Sequence, residues 1–188
     1  DPGFPGVEDL VVPMGLPVGG DHVVAGALRC HDGARLPVGR PRPPGHYGDA
    51  VLRIAQTAYL EMIRHAIAGL PNEACGLLGG PYGQGLISGF APTRNADESA
   101  RTYSIGADGF LAADQAFGPQ GIDVVGVMHS HTHTDPYPSP TDVEQADNPL
   151  LIGWHYVIVS LRDREPMLRS WLLDDGVIVE TPVAIVAG

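Results

Sequence analysis

The stretch that most constrains this chain is a run of histidines and prolines that ends in an aspartate. Residues 129–142 read His-Ser-His-Thr-His-Thr-Asp-Pro-Tyr-Pro-Ser-Pro-Thr-Asp. The apolar segment before them predicts a buried strand, 123–131, that carries His129 and His131 at its end. Because side chains alternate between the two faces of a strand, both imidazoles are expected on the same face. The three prolines force an irregular loop before a short helix at 141–146.

Two imidazoles and one carboxylate form a common ligand set for a catalytic zinc ion, because they leave a fourth position for water. Asp142 can supply the carboxylate after the loop turns back. Zinc lowers the pKa of a bound water and polarises a carbonyl. A second carboxylate is then needed as general base and acid. Non-haem iron takes the same ligand types, so the pattern alone leaves the metal open.

A cupin offers another interpretation of a His-x-His pair, since cupins also begin their metal motif in this way. They place a glutamate four or five residues further on, where this chain has Asp135 and Pro136. His133 and Asp135 are therefore expected at the rim of the site and outside the ligand set.

The spacing His-Ser-His, seven residues, Ser, two residues, Asp resembles the signature of the JAMM (MPN-plus) zinc metallopeptidases. The family also carries an upstream glutamate just before a strand, matched here by Glu73 in Glu-Ala-Cys-Gly. The resemblance covers residues 51 to about 185. It implies an α+β fold, a single MPN/JAB domain of the cytidine-deaminase-like kind, with a curved mixed β-sheet flanked by helices.

The resemblance also assigns roles to five positions. It implies that His129, His131 and Asp142 bind Zn²⁺ and that Glu73 moves protons between the activated water and the leaving amine. It implies that Ser139 donates to the oxyanion of the tetrahedral intermediate, a role worth about 3 kcal/mol in comparable sites. Ser139 has a second interpretation, because Ser-Pro-Thr-Asp is also typical of a helix N-cap.

Within the family, the closest resemblance is to the short bacterial branch that works with ubiquitin-like sulfur-carrier proteins ending in Gly-Gly. Its type member releases cysteine from a carrier–cysteine adduct, which implies a carrier-protein partner and a place in cysteine synthesis. A deubiquitinase-like isopeptidase acting on another ubiquitin-like protein is the alternative. A non-catalytic scaffold would lack ligands that this chain has, and DNA-repair relatives read His-x-His-Pro where Thr132 stands here.

Composition excludes several classes of partner. The formal net charge is −11, and all eleven basic residues are arginine, without a basic run. This argues against nucleic acid and against an anionic membrane surface. No stretch of about 18 apolar residues suits a membrane span. Two cysteines give no disulfide framework, so a cytoplasmic location is expected. Cys75 is interpreted as a small buried apolar residue.

The chain divides into two parts. Residues 1–48 hold 18 of the 43 glycines and prolines and predict an irregular N-terminal arm that packs on the domain, on a second copy or on a partner. Residues 49–188 are expected to form the metallopeptidase domain. Its predicted helices are 57–68, with Leu60, Ile63 and Ile67 at helical spacing, and 108–116. The other predicted strands are 51–54, 74–78, 86–91, 101–105, 155–161, 168–173 and 177–185.

Overall fold

The computed structural model describes residues 51–148, 151–174 and 176–187. The predicted N-terminal arm, residues 1–48, lies outside them, so the division of the chain at residue 49 stays a prediction. No helix in the described ranges is long and apolar enough to cross a membrane. Within these ranges the elements follow in the order β1 (Leu52–Ala55), α1 (Gln56–Gly69), β2 (Cys75–Gly80), β3 (Leu86–Ile87), β4 (Gly89–Thr93), α2 (Ala107–Phe117), β5 (Asp123–His131), α3 (Pro140–Ala146), β6 (His155–Ser160), β7 (Met167–Asp174), β8 (Val177–Thr181) and β9 (Val183–Val186).

The strands form two sheets, and the larger one holds the candidate site. Its six strands lie in the order β4-β2-β5-β6-β7-β8. Only β5 and β6 are parallel neighbours; the other pairs are antiparallel. The smaller sheet, β3-β1-β9, is parallel throughout. This architecture confirms the predicted α+β class with mixed strand directions.

Three predicted strands differ from the structure. The predicted strand at 86–91 divides at Ser88 into β3 and β4, which belong to different sheets. The predicted strand at 101–105 is wrong, since only an isolated bridge joins Ile105 to Asn95. The Asn95 side chain forms hydrogen bonds with backbone groups that a strand would use for pairing. It accepts from Ser104 N at 3.2 Å and donates to Thr102 O at 2.9 Å. The closing strand at 177–185 divides at Pro182, which has no N–H for a ladder, and its halves β8 and β9 belong to different sheets.

Helix α1 forms as predicted but buries a different stripe. Its buried residues are Ala58, Met62 and Ala66, four residues apart, whereas Leu60 and Ile67 are 39% and 50% exposed. Two alanines on the contact face let the helix backbone approach the sheet closely. The expectation that this stripe faces the core is therefore wrong for Leu60 and Ile67, whereas Ile63 is partly buried and packs against the core.

A bulge in β5 decides which face of the sheet receives the histidines. The pairing of β2 with β5 shifts between Leu78 and Gly79. Val125 lies at the shift and packs on the α1 side, as Met128 does further along the strand. Val127 packs on the α2 side. Alternation from Val127 then carries His129 to the α2 side, where the second core cluster lies.

Candidate metal centre

The two histidines stand where the chain leaves the only parallel pair in the larger sheet. His129 and His131 lie at the C-terminal end of β5, where they pair with Ile158 and Ser160 of β6. Parallel neighbours need a crossover connection, and here that connection contains α3. The crossover returns Asp142, in the first turn of α3, to the end of β5. Ligand sites are common at the carboxyl ends of such strands.

The three side chains converge on one point. The Nε2 atoms of His129 and His131 are 3.2 Å apart. Asp142 Oδ1 lies 3.4 Å from the first nitrogen and Asp142 Oδ2 lies 3.5 Å from the second. Ligands about 2.0–2.2 Å from a tetrahedral zinc ion are separated from one another by about 3.3–3.6 Å. The cluster therefore has the donor types and the spacing that a zinc ion requires.

Hydrogen bonds fix the tautomer and orientation of His131. Its Nδ1 lies 2.7 Å from Asp135 O and 3.0 Å from Thr134 Oγ1. A carbonyl oxygen only accepts, so Nδ1 carries a proton. When the ring is neutral, Nε2 can therefore present its lone pair to a metal ion. Thr134 is held in turn, because Ser160 Oγ donates to its carbonyl oxygen at 2.6 Å.

Asp142 is held by the capping box at the start of α3. Ser139 N donates to Asp142 Oδ2 at 2.6 Å, and Asp142 N donates to Ser139 Oγ at 3.2 Å. Burial alone would raise the pKa of Asp142. The charge of His129 and hydrogen bonds from both histidines and Ser139 outweigh it and hold that pKa well below its usual range. Asp142 is therefore an anion across the physiological range, as a metal ligand must be.

Glu73 lies beside this cluster because of the pairing between β2 and β5. Cys75 is the partner of His129, and Ser130 N donates to Ala74 O at 2.9 Å. The antiparallel register therefore carries Glu73 to His131, on the same face of the sheet. The Glu73 backbone is fixed on both sides: its N donates to Ser99 O at 2.8 Å, and its O accepts from Asn95 Nδ2 at 2.9 Å.

The environment shifts the pKa values of Glu73 and Asp142 in opposite directions. Burial raises the pKa of Glu73 to about 7, with His131 lowering it and the negative charge of Asp142 raising it. The side chain is thus poised between its neutral and charged forms near neutral pH. Pairs of carboxyl groups whose pKa values differ in this way are typical of sites where one group binds a ligand and the other moves protons.

Comparison with known proteins identifies the family of this chain. Residues 55–174 match the family described as prokaryotic homologs of the JAB domain, or Prok-JAB. The chain belongs to this family. The matched range includes every residue of the cluster and Glu73, so the Prok-JAB assignment covers the candidate site.

Relatives of this Prok-JAB chain include enzymes. It is 39% identical over 126 residues to the CysO-cysteine peptidase of Mycobacterium tuberculosis, covering 66% of this chain and 84% of that protein. It is 33% identical over 129 residues to the desampylase of Haloferax volcanii, covering 66% and 90%. These relatives support a hydrolase of the JAMM type, near the bacterial branch that the sequence predicted.

Solved structures of similar proteins support the fold. A protein from Desulfitobacterium hafniense has a TM-score of 0.64 and 28% identity, covering 72% of this chain and 93% of that one. A protein from Salinibacter ruber has a TM-score of 0.51 and 35% identity, covering 71% and 90%. The Prok-JAB fold therefore extends beyond the two enzymes.

The neighbours of the cluster have supporting positions. Ser130 points away from the imidazoles and accepts from Ala74 N at 2.8 Å, as expected for a residue on the opposite face. His133 is exposed, and the Asp135 side chain pairs with Arg162 at 2.6 Å. Cys75 is fully buried, and burial raises the pKa of its thiol to about 11, so it is an apolar packing residue.

Sequence reasoning missed three residues that hold the Prok-JAB site in place. Asn95 clamps the backbone of Glu73, and Tyr103 stacks on His129 with ring centroids 4.4 Å apart. Trp171 Nε1 donates to Pro136 O at 2.9 Å and so anchors the loop between the histidines and α3. All three come from segments remote in sequence, and a single chain without pairing information carries no signal for such contacts.

Proposed function

We propose that this chain is a zinc-dependent peptidase that hydrolyses the amide bond at the C-terminal Gly-Gly of a ubiquitin-like sulfur-carrier protein. The released group is cysteine or a related amine. The observation that carries the proposal is the triangle of ligand atoms with edges of 3.2, 3.4 and 3.5 Å, with Glu73 beside it. The proposed ligands are His129, His131 and Asp142.

Two kinds of similarity support this substrate class. The Mycobacterium relative is named a CysO-cysteine peptidase, and the Haloferax relative a desampylase. The second name keeps an alternative open, in which the substrate is an isopeptide bond on another ubiquitin-like protein. A small ubiquitin-like protein is the proposed partner in both cases, while a cytoplasmic location and self-association stay predictions.

Each side chain of the site has a defined task in this proposal. When bound, zinc supplies an acidified water and polarises the scissile carbonyl. Glu73 takes a proton from the attacking water and gives a proton to the leaving nitrogen, so no net proton remains on the enzyme. Burial raises the pKa of Glu73 to about 7 in the metal-free protein. The positive charge of a bound zinc ion would lower it, which leaves a carboxylate able to accept the first proton at neutral pH.

Ser139 can serve the helix and the reaction at the same time. Its Oγ accepts from Asp142 N through a lone pair, and its own hydroxyl hydrogen stays available. We propose that this hydrogen is donated to the oxygen that becomes negative during attack. The capping box orients the hydroxyl before substrate arrives, as electrostatic stabilisation requires.

An open cleft of about 280 Å³ adjoins Glu73, with His65, Asn72 and Arg94 among its lining residues. None of the proposed metal ligands lines this cleft, so it brings solvent close to Glu73 and does not select the released amine.

The test uses a carrier protein joined through its terminal glycine to cysteine, with mass spectrometry of the adduct before and after incubation. Glu73→Gln should keep one equivalent of zinc and lose about 10²–10⁴-fold in turnover, the usual contribution of a general base. Glu61→Gln, at an exposed position of α1, is the matched control and should retain full turnover. Full activity of Glu73→Gln, or iron in place of zinc in the active protein, would refute the mechanism.

A further inference from the structure

The two histidines of the candidate metal centre are held in different ways. His131 is oriented by the hydrogen bonds of its Nδ1 to Asp135 and Thr134. Nδ1 of His129 has no hydrogen-bond partner among the described residues, although the ring is fully buried. A hydrogen bond at the far nitrogen is the usual device that orients a ligand imidazole. Another contact must therefore fix the ring of His129.

That contact is a stack with Tyr103. The ring centroids are 4.4 Å apart and the planes are inclined by 17°. Both side chains are buried, with 1% of Tyr103 and 0% of His129 exposed. In a close-packed interior, a rotation of the imidazole about its Cβ–Cγ bond would drive its edge into the phenol ring. The stack therefore keeps the plane of His129 aligned with Nε2 directed at the cluster.

Tyr103 is itself fixed by its backbone. Asn95 binds the residues on both sides, donating to Thr102 O at 2.9 Å and accepting from Ser104 N at 3.2 Å. The Tyr103 carbonyl oxygen accepts from Gln145 Nε2 of α3 at 3.5 Å. The backbone that carries the phenol ring is consequently fixed by Asn95, which follows β4, and by the helix that carries Asp142.

The phenol hydroxyl takes no part in this arrangement. It is buried and has no hydrogen-bond partner within the described ranges. The ring face alone makes the contact with His129, so substitution can separate the contribution of the ring from that of the hydroxyl.

We infer that Tyr103 is a positioning residue for His129, and that it replaces by stacking the hydrogen bond that orients His131. This inference rests on the proposed metal centre. It predicts that the affinity of the protein for zinc depends on an aromatic ring at position 103. Changes to the groups that orient metal ligands typically lower metal affinity by 10–100-fold.

The experiment compares Tyr103→Phe with Tyr103→Leu in the full chain. Zinc affinity is measured by competition with a chromophoric chelator, and ligand geometry by the visible spectrum of the Co²⁺ form. Tyr103→Phe should bind zinc within about threefold of the wild type with an unchanged spectrum. Tyr103→Leu should bind about 10–100-fold more weakly with an altered spectrum. If Tyr103→Leu does not fold, Tyr103→Met, which adapts to irregular spaces, replaces it under the same criteria.

Phe117→Leu is the matched control, because it removes a buried aromatic ring from the same core cluster. Phe117 packs over Gly79, whose strand partner Val124 lies five residues before His129 in β5, about 17 Å along the strand. This variant should lose thermal stability and keep its zinc affinity.

Two results would overturn the inference: wild-type zinc affinity in the folded leucine or methionine variant, or equal weakening in Phe117→Leu. Wild-type protein that binds no zinc would refute the metal centre together with this inference. Protein that binds zinc but leaves the carrier adduct intact would refute only the proposed substrate, and the affinities would still decide the role of Tyr103.

Discussion

Replacing Glu73 by glutamine should change how the stability of the metal-free protein depends on pH. Burial raises the pKa of Glu73 to about 7 from its usual 4.5. An acid with a raised pKa binds its proton more tightly in the folded chain. Its contribution to stability is therefore fully present below about pH 4.5 and is lost as pH rises through about 7. Glutamine stays neutral and suffers no such loss.

The magnitude follows from the difference between the two pKa values. Each pH unit corresponds to 1.36 kcal/mol, so a difference of about 2.5 units sets an upper limit of about 3.4 kcal/mol. Solvent at the adjoining cleft screens part of this, which leaves about 2–3 kcal/mol. Burial lowers the pKa of His131, but hydrogen bonds to Asp142 and to the Asp135 carbonyl outweigh it and raise that pKa. The contribution of His131 to the free energy of unfolding is therefore also lost as pH rises above 6.5. Most of that loss occurs in both proteins and cancels in their difference. The attraction between His131 and the Glu73 carboxylate does not cancel, but the pKa of Glu73 already includes it.

The assay is urea unfolding in the presence of a chelator, from about pH 5 to about pH 8. The free energy of unfolding of Glu73→Gln relative to the wild type should rise by about 2–3 kcal/mol over this range. Glu61→Gln controls for the loss of one negative charge and should give a nearly constant difference. A difference for Glu73→Gln that is equally constant would show that the folded chain does not bury the Glu73 carboxylate, and would refute the reasoning.

Two further predictions concern packing and the helix start. Gly126→Ala should lower the free energy of unfolding by about 2 kcal/mol or more, because the added Cβ would lie 2.2 Å from His155 O on the neighbouring strand; urea unfolding measures this, and wild-type stability would contradict the register. Ser139→Ala should lose about 1 kcal/mol of stability with the cap and, through the lost donor, about 10²–10³-fold in turnover. A loss of stability without a comparable loss of turnover would leave Ser139 as a cap alone.

The sequence by itself was sufficient for the ligand types, their spacing and the presence of a short helix after the histidines. Strand alternation placed His129 and His131 on one face, and Ser139 with Pro140 marked the start of α3. These features are local, because they depend on backbone geometry over a few residues. The role of Glu73 came instead from the family resemblance, since its electrostatic interaction with His131 spans more than fifty residues of chain.

Tertiary structure decided the features that depend on distant segments. The bulge in β5 selected the α2 face for the histidines, and Asn95 prevented residues 101–105 from forming a strand. The pKa of Glu73 and the stack of Tyr103 on His129 arise only when separate strands and loops enclose the same space. Burial, register and ring contacts depend on residues that are neighbours in space. Patterns along a single chain therefore predict the ligands of this site, but not the surrounding residues that shift their pKa values and orient them.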